Sequence, residues 1–339
     1  MSKDNTVFIG KNQSFAERNR RSGGYLLKRR VGQAAFSVIR ALLMFGLCFM
    51  IIQPLITRFS LSLMSETDMY DSTIRLLPRN VTLDNYRIVA ELTNMPESMI
   101  NTAWISLLMS IVQVISTTLV AYGFARFEFP LKKFWFACVI LLIIIPPQTI
   151  QTSLVTSFSH FDILGIFKAI TGSELNLRSS LVPYTLLGLT CMGLKNGLYI
   201  FMLRQYFRSV PESLEEAAYV DGCGTMHTFM KIMLPDAIPT IASCFLFGFV
   251  WQWTDLFYTR NFLSGYRIYS KELSSMSSVM PMYFSQNAAS STQTAMVPLA
   301  RQLQLIGIGV FICCIPLIIL YIFTQRTFVQ SLVMTGSKE

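Results

Sequence analysis

Six apolar runs, roughly 34–57, 100–123, 134–156, 181–203, 238–259 and 303–324, constrain this chain more than any other feature. Each is long enough, at about 20 residues, to cross about 30 Å of hydrocarbon as a helix. Composition agrees, with 52% of the 339 residues hydrophobic, 14% charged and a mean hydropathy of +0.47. A soluble domain carries about 25% charged residues. The expected fold class is therefore an all-α integral membrane protein with six transmembrane helices, built as one membrane domain.

The net charge of +9 does not point to nucleic acid, because the basic residues do not form a binding face. Eight of them fall in 1–33, with Lys28-Arg29-Arg30 just ahead of the first run. That is a cytoplasmic flank, and it sets the start of the chain inside. The first run is too long for a signal-peptide core and has no cleavage site after it, so it is expected to stay as an anchor. Loop 60–99 then faces out. Its Arg75, Arg79 and Arg87 are outnumbered by Glu66, Asp68, Asp71, Asp84, Glu91 and Glu97. Arg126, Lys132 and Lys133 mark the next loop as inner. The loop between the last two spans carries Arg260, Arg267, Lys271 and Arg301 outside, and long loops translocate largely regardless of charge. Both termini and loop 204–237 are thus expected in the cytoplasm. The expected organisation is a basic segment 1–33, a membrane domain 34–325 and a tail 326–339. Seven cysteines without CxxC spacing and two histidines, His160 and His227, suggest neither disulfides nor zinc.

Residues 203–236, which cover nearly all of loop 204–237, read "LRQYFRSVPESLEEAAYVDGCGTMHTFMKIMLPD". Ser209 followed by Glu212, with Pro211 between, predicts a capping box and a helix to about Val220. Asp221-Gly222 should end it, since glycine accepts the left-handed turn. Thr225 should cap a second helix bearing Met226, Phe229, Ile232 and Met233, closed by Pro235. The product is a helix-turn-helix knob between spans four and five.

Glu216-Ala217-Ala218, Asp221-Gly222, Phe229, Ile232, Leu234-Pro235 and Pro239 resemble the EAA loop of bacterial ABC-importer permeases. "NTAWISL" at 101, "AYGFARFEFP" at 121, "IIPPQ" at 144, "FVWQWTDLF" at 249 and "QRTFVQSLVMTGSKE" at 325 are similar to the carbohydrate type, near the smaller maltose-importer subunit. The resemblance covers most of 80–339. It departs at Cys223, where Ala is usual, and at Ser331, where Gly is usual. It implies a permease subunit in a bacterial cell membrane, with the EAA knob docking on a separate ATPase through Glu216, Ala217, Ala218, Asp221, Gly222, Phe229 and Pro235. Implied partners are a second permease, two cytoplasmic ABC ATPases, an extracellular solute-binding protein, and a sugar or oligosaccharide. No GxxxxGK[ST] phosphate loop occurs in the chain. No cofactor is therefore expected on it, ATP and Mg belonging to the partner ATPase, and it is expected to be no enzyme.

Ionisable groups within a span are functional suspects. Lys195, beside Gly193, Asn196 and Gly197, is either a pathway residue or a lysine facing a wet, irregular stretch. Asp255 with Trp251, Gln252 and Trp253 suits a sugar, although tryptophans there also serve as interfacial anchors. Pro146-Pro147 should break span three, lining a cavity or only kinking the helix. Alternatives are the same importer with an osmolyte or peptide as cargo, or a self-sufficient secondary transporter. The latter needs acids in the spans, where Asp255 is nearly alone. A membrane enzyme needs a clustered constellation that the sequence lacks.

Overall fold

The computed structural model describes residues 16, 19–20, 22–71, 73–74, 77–162, 166–287 and 297–336. Lys3, Lys11, Arg18, Arg21 and Arg75 lie outside them, as does the side chain of Ser331. The described elements are helices. Two isolated β-bridges, Met64 with Val81 and Phe161 with Leu175, are the extended pairings among the described residues.

The chain divides into two compact units, Met1–Ser60 and Leu61–Glu339. The first consists largely of α1 (Tyr25–Leu63), a helix of 39 residues that ends just past the boundary. At 1.5 Å per residue it is about 58 Å long. It starts earlier than the apolar run, so Lys28, Arg29 and Arg30 occupy its opening turns. Its apolar side chains are exposed along its length; Phe45 and Ile51 are each 71% open. Lipid satisfies such a surface, and Pro54 is accommodated within the helix.

The second unit runs through α2 (Glu66–Tyr70), α3 (Asp84–Leu92), α4 (Met95–Arg126), α5 (Lys132–Ile144), α6 (Pro147–Ser159), α7 (Ile166–Thr171), α8 (Val182–Leu189) and α9 (Asn196–Ser209). Then come α10 (Glu212–Val220), α11 (Thr225–Thr228), a π-turn at Phe229–Met233, and α12 (Leu234–Asp236). α13 (Ile238–Trp253), α14 (Phe257–Phe262), α15 (Tyr269–Asn287) and α16 (Leu299–Gly336) complete it, α16 absorbing most of the expected tail.

Helix α4 is the central post, packed by α8, α9 and α13. Its buried positions include Ser98, Thr102, Ser106, Ser110, Gln113, Ser116, Thr117 and Thr118. Thr102, Ser110, Thr117 and Thr118 donate to carbonyls one turn back, at Ser98, Ser106, Gln113 and Val114. The hydroxyls are thus satisfied within the helix, and their small profile lets neighbours come close. Gly248 of α13 lies against Ser110, and Gly197 of α9 against the Val139 carbonyl of α5.

Three single helices are long and apolar enough to cross a membrane, and two bent pairs raise the number to five. One pair is α5 with α6, bent by 104° at Pro146-Pro147; the other is the 225–236 segment with α13, bent by 73°. The run 181–203 is not one continuous helix: α8 and α9 are parted at 190–195, with Cys191 and Lys195 at positive φ. The fifth run also stops early, at Trp253, and resumes as α14. Buried side chains gather in three clusters. Tyr122, Phe207 and Phe229 centre one, Trp253, Tyr269 and Met276 another, and Tyr184, Tyr258 and Phe262 the third.

Candidate functional site

The knob at 211–236 starts without the expected capping box. Ser209 is the last residue of α9, and its hydroxyl donates back to the Tyr206 carbonyl at 2.8 Å. Val210 and Pro211 are extended and carry Glu212 out of its reach. The start of α10 is instead held by Arg126, from the far end of α4. Its Nη2 donates to the Val210 carbonyl at 2.8 Å, and its Nε lies 3.2 Å from Glu215 Oε1. Under a tenth of either side chain is exposed. Glu212, 3.7 Å from Arg126, stands in the open.

Helix α10 ends as the Asp-Gly pair predicts. Gly222 has φ +82°, its N–H donates to the Tyr219 carbonyl, and the Cys223 N–H donates to the Ala218 carbonyl. This double bond pattern is a Schellman stop. Thr225 is the first residue of α11 rather than its cap; Gly224 holds the cap position. Pro235 lies in the first turn of α12 rather than closing the segment, and the chain turns at Ala237 into α13.

The expected coupling residues divide into two sets. Ala218 and Phe229 are buried, and the Phe229 ring sits 4.6 Å from that of Tyr122. Glu216, Ala217, Asp221, Gly222 and Pro235 face outward. Leu214, Tyr219, Val220 and Met226 are exposed beside them, Val220 at 87%. On the other side, the Tyr206 hydroxyl donates to the Asp236 carbonyl at 2.6 Å, tying the exit of the knob to α9. The knob is therefore bolted to α4 and α9 on one face and bare on the other.

The second site is a cavity of about 240 Å³ where the helices break. Lys195 opens α9 in the left-handed conformation, and its Nζ lies 4.2 Å from the centre of the Trp251 ring. The break leaves backbone groups free, which the bundle must satisfy. Gln113 of α4 donates to the Leu194 carbonyl at 2.9 Å and to Asn196 Oδ1, and accepts from Gln252 at 3.1 Å. The Leu194 N–H donates to the Tyr258 hydroxyl at 2.7 Å, and Ser116 donates to the Gly188 carbonyl. Asp255 accepts from the Thr259 N–H at 3.0 Å and from its hydroxyl, fixing the start of α14.

Lys195, Trp251 and Asp255 all line the cavity, with Pro147 of the α5–α6 bend. Asn196 stands behind the lining, fully buried on Gln113. Trp253 is not in the lining: it is buried among Tyr269 and Met276, and its indole donates to the Cys313 carbonyl at 3.1 Å. Gln113 was the residue the sequence hid; a lone amide in an apolar run was its signal. The site offers aromatic faces, amides and one charge of each sign, suited to holding a polar solute.

Two curated relatives and a solved structure resemble the chain. The osmoprotective compounds uptake permease protein GgtD of Synechocystis is 30% identical over 183 residues, 54% of this chain and 56% of the relative. The trehalose transport system permease protein SugB of Mycobacterium tuberculosis is 30% identical over 203 residues, 60% of this chain and 67% of the relative. The chain thus spans just over half the length of the first of these. A crystal structure of a bacterial ABC transporter involved in the import of the acidic polysaccharide alginate contains a chain of similar fold. The TM-score is 0.64 at 19% identity, covering 88% of this chain and 98% of that one. Residues 113–333, from Gln113 of the cavity through the knob and into α16, match a single family. The chain belongs to the binding-protein-dependent transport system inner membrane components.

Proposed function

We propose that the chain is a transmembrane permease subunit of an ATP-driven ABC importer and forms half of the path for a sugar or oligosaccharide. In this reading it crosses the membrane six times, the parted α8 and α9 making the fourth crossing, with both termini and the EAA knob in the cytoplasm. The other half of the path comes from a second permease. Two ATPases sit beneath, using ATP and Mg, and an extracellular binding protein delivers the solute.

The observation that carries this reading is the two-sided knob. Its inner side is anchored by Arg126–Glu215 and Phe229–Tyr122, and its outer side exposes Glu216, Ala217, Val220 and Met226. A protein groove closing on that outer side would move α4, α9 and α13 together, because the knob joins all three rigidly. Nearer the cargo, the open face of Trp251 would stack on sugar C–H groups. Gln252, Lys195 and Asp255 would meet hydroxyls. The relatives named for trehalose and for alginate favour a saccharide; the one named for osmoprotective compounds supports a second cargo class within the same mechanism.

Affinity purification of the tagged chain from its own membranes, beside Val220→Asp, tests the reading. A Walker-type ATPase and a second permease should accompany the wild type, and the ATPase should fall away from the variant. An ATPase retained equally by both, or a chain that comes down alone, would overturn it in favour of a self-powered transporter.

A further inference from the structure

A second cavity, of about 470 Å³, opens at the knob end of the helices, where α4 and α9 finish and α5 begins. Its apolar lining is Phe124, Ala125 and Phe136; its charged lining is dominated by Lys132, Lys133, Arg204 and Arg208. Of the two acids present, one neutralises Lys132 within the lining and the other leans towards Arg126. Glu128 lies 2.8 Å from Lys132, and Glu212 is drawn to Arg126. Among the described residues no ion pair to a carboxylate is seen for Lys133, Arg204 or Arg208.

Arg204 and Arg208 are one turn apart on α9 and so share a face. The Arg204 guanidinium is fixed, stacked 3.9 Å over the Phe136 ring, with Nε donating to the Phe124 carbonyl at 3.3 Å. Four cations against two acids leave a surplus of positive charge that favours a bound anion, and planar guanidinium forks match phosphate oxygens. The surroundings say which phosphate. Phe134 and Trp135, next to the cationic pair on α5, are more than half exposed, their rings 5.5 Å apart. Exposed aromatic residues at the end of a membrane helix mark the headgroup level. The apolar lining would take a glycerol–acyl root, which a free anion lacks.

We propose that this cavity binds the headgroup of an anionic glycerophospholipid, with Lys133, Arg204 and Arg208 around its phosphate. Basic pockets between membrane helices bind such headgroups by this combination of charge and burial. The site adjoins Glu212 at the start of the knob, so the lipid borders the segment that Arg126 clamps. The inference rests on membership of a membrane family and does not depend on the cargo.

The test uses the full chain, purified from its membranes with whatever subunits accompany it. Dioleoyl phosphatidylglycerol and dioleoyl phosphatidylcholine are titrated separately, and retained lipid is counted by native mass spectrometry. The variants are Lys133→Gln with Arg208→Gln, which spares the Arg204 contacts, and Arg260→Gln as a control cation beyond the other end of α13. Phosphatidylglycerol should be retained by the wild type and by the control, and retention should drop about fivefold for each pocket cation removed. Equal retention of phosphatidylcholine, no retention of phosphatidylglycerol, or unchanged retention by the double variant would overturn the proposal. Displacement of phosphatidylglycerol by millimolar inorganic phosphate would also overturn it, by making this a free-anion site.

Discussion

Arg126 Nε and Glu215 Oε1 lie 3.2 Å apart, join the end of α4 to the knob, and leave less than a tenth of either side chain exposed. Glu216, next in sequence, forms no ion pair among the described residues and faces outward. Adjacent glutamates thus stand in opposite settings, one buried against Arg126 and one open to the surroundings.

The first prediction follows from that division. Glu215→Ala leaves the buried Arg126 guanidinium with the more distant, exposed Glu212 as its acid and should cost about 3 kcal/mol, because removing one side of a buried pair is strongly destabilising. Glu216→Ala should leave the melting midpoint of the purified chain unchanged while weakening ATPase co-purification. Replacing both partners, Arg126→Met with Glu215→Leu, should recover most of the lost stability. Equal melting of Glu215→Ala and wild type would show that the clamp is not structural.

Gly197 supplies the second prediction. A Cβ there would lie 2.7 Å from the Val139 carbonyl oxygen, a backbone atom that cannot rotate aside. Gly197→Ala should force α9 from α5 and destabilise the chain by about 1–3 kcal/mol. Gly188→Ala, whose Cβ would meet a Val112 side-chain methyl at 3.3 Å, should be milder. A thermal shift assay in detergent compares them, and equal midpoints for the two variants would contradict the close-approach argument.

What the sequence made legible was mostly local. Pro146-Pro147 marks a bend and Gly222 a stop, since each residue limits its own backbone. The Ser209 capping box failed because α9 runs one residue further than the motif assumes. The Arg126–Glu215 clamp and the Gln113 bonds join residues distant along the chain, so no window of sequence contains them. Lys195 stood out by its charge, yet the unwound turn before it is held by Gln113 and Tyr258 from other helices. Trp251 and Trp253 looked like one cluster. Two residues apart on a helix they point about 200° from each other, and only the bundle decides which faces the cavity.

The segment between α1 and α3 gives a pH prediction. Asp68 is buried and accepts from the N–H groups of Arg79 and Asn80, each at 2.7 Å, and from the Asn80 amide at 2.9 Å. The Asn80 backbone bond leads the effects that hold its carboxyl below the ordinary 3.8, against the cost of burial. A depressed folded pKa means that the stabilisation is present above the unfolded value and is lost as pH falls through the folded one. Asp68→Asn should therefore speed amide exchange at Arg79 and Asn80 at neutral pH. The ratio of variant to wild-type rates at equal pH should shrink towards one as pH drops below about 4. A ratio that is constant across this range would mean that the carboxylate charge plays no part.

The two tryptophans of α13 allow the cavity assignment to be checked without knowing the cargo. Trp251 is half exposed in the cavity beneath the Lys195 ammonium, whereas Trp253 is 3% exposed with its indole on the Cys313 carbonyl. Trp253→Ala should cost about 3–5 kcal/mol, since it empties a large buried volume. Trp251→Ala should fall well below that, because its ring is already solvated on one side. Acrylamide quenching adds a readout that stability alone cannot mimic. Trp251→Phe should remove a strongly quenched component from the emission, and Trp253→Phe should remove a protected one. If both variants lose equally quenched components, the cavity is closed over Trp251 and a solute path along that face is ruled out. If the quenched component disappears only with Trp251, the same variant is the one in which cargo binding should first be sought.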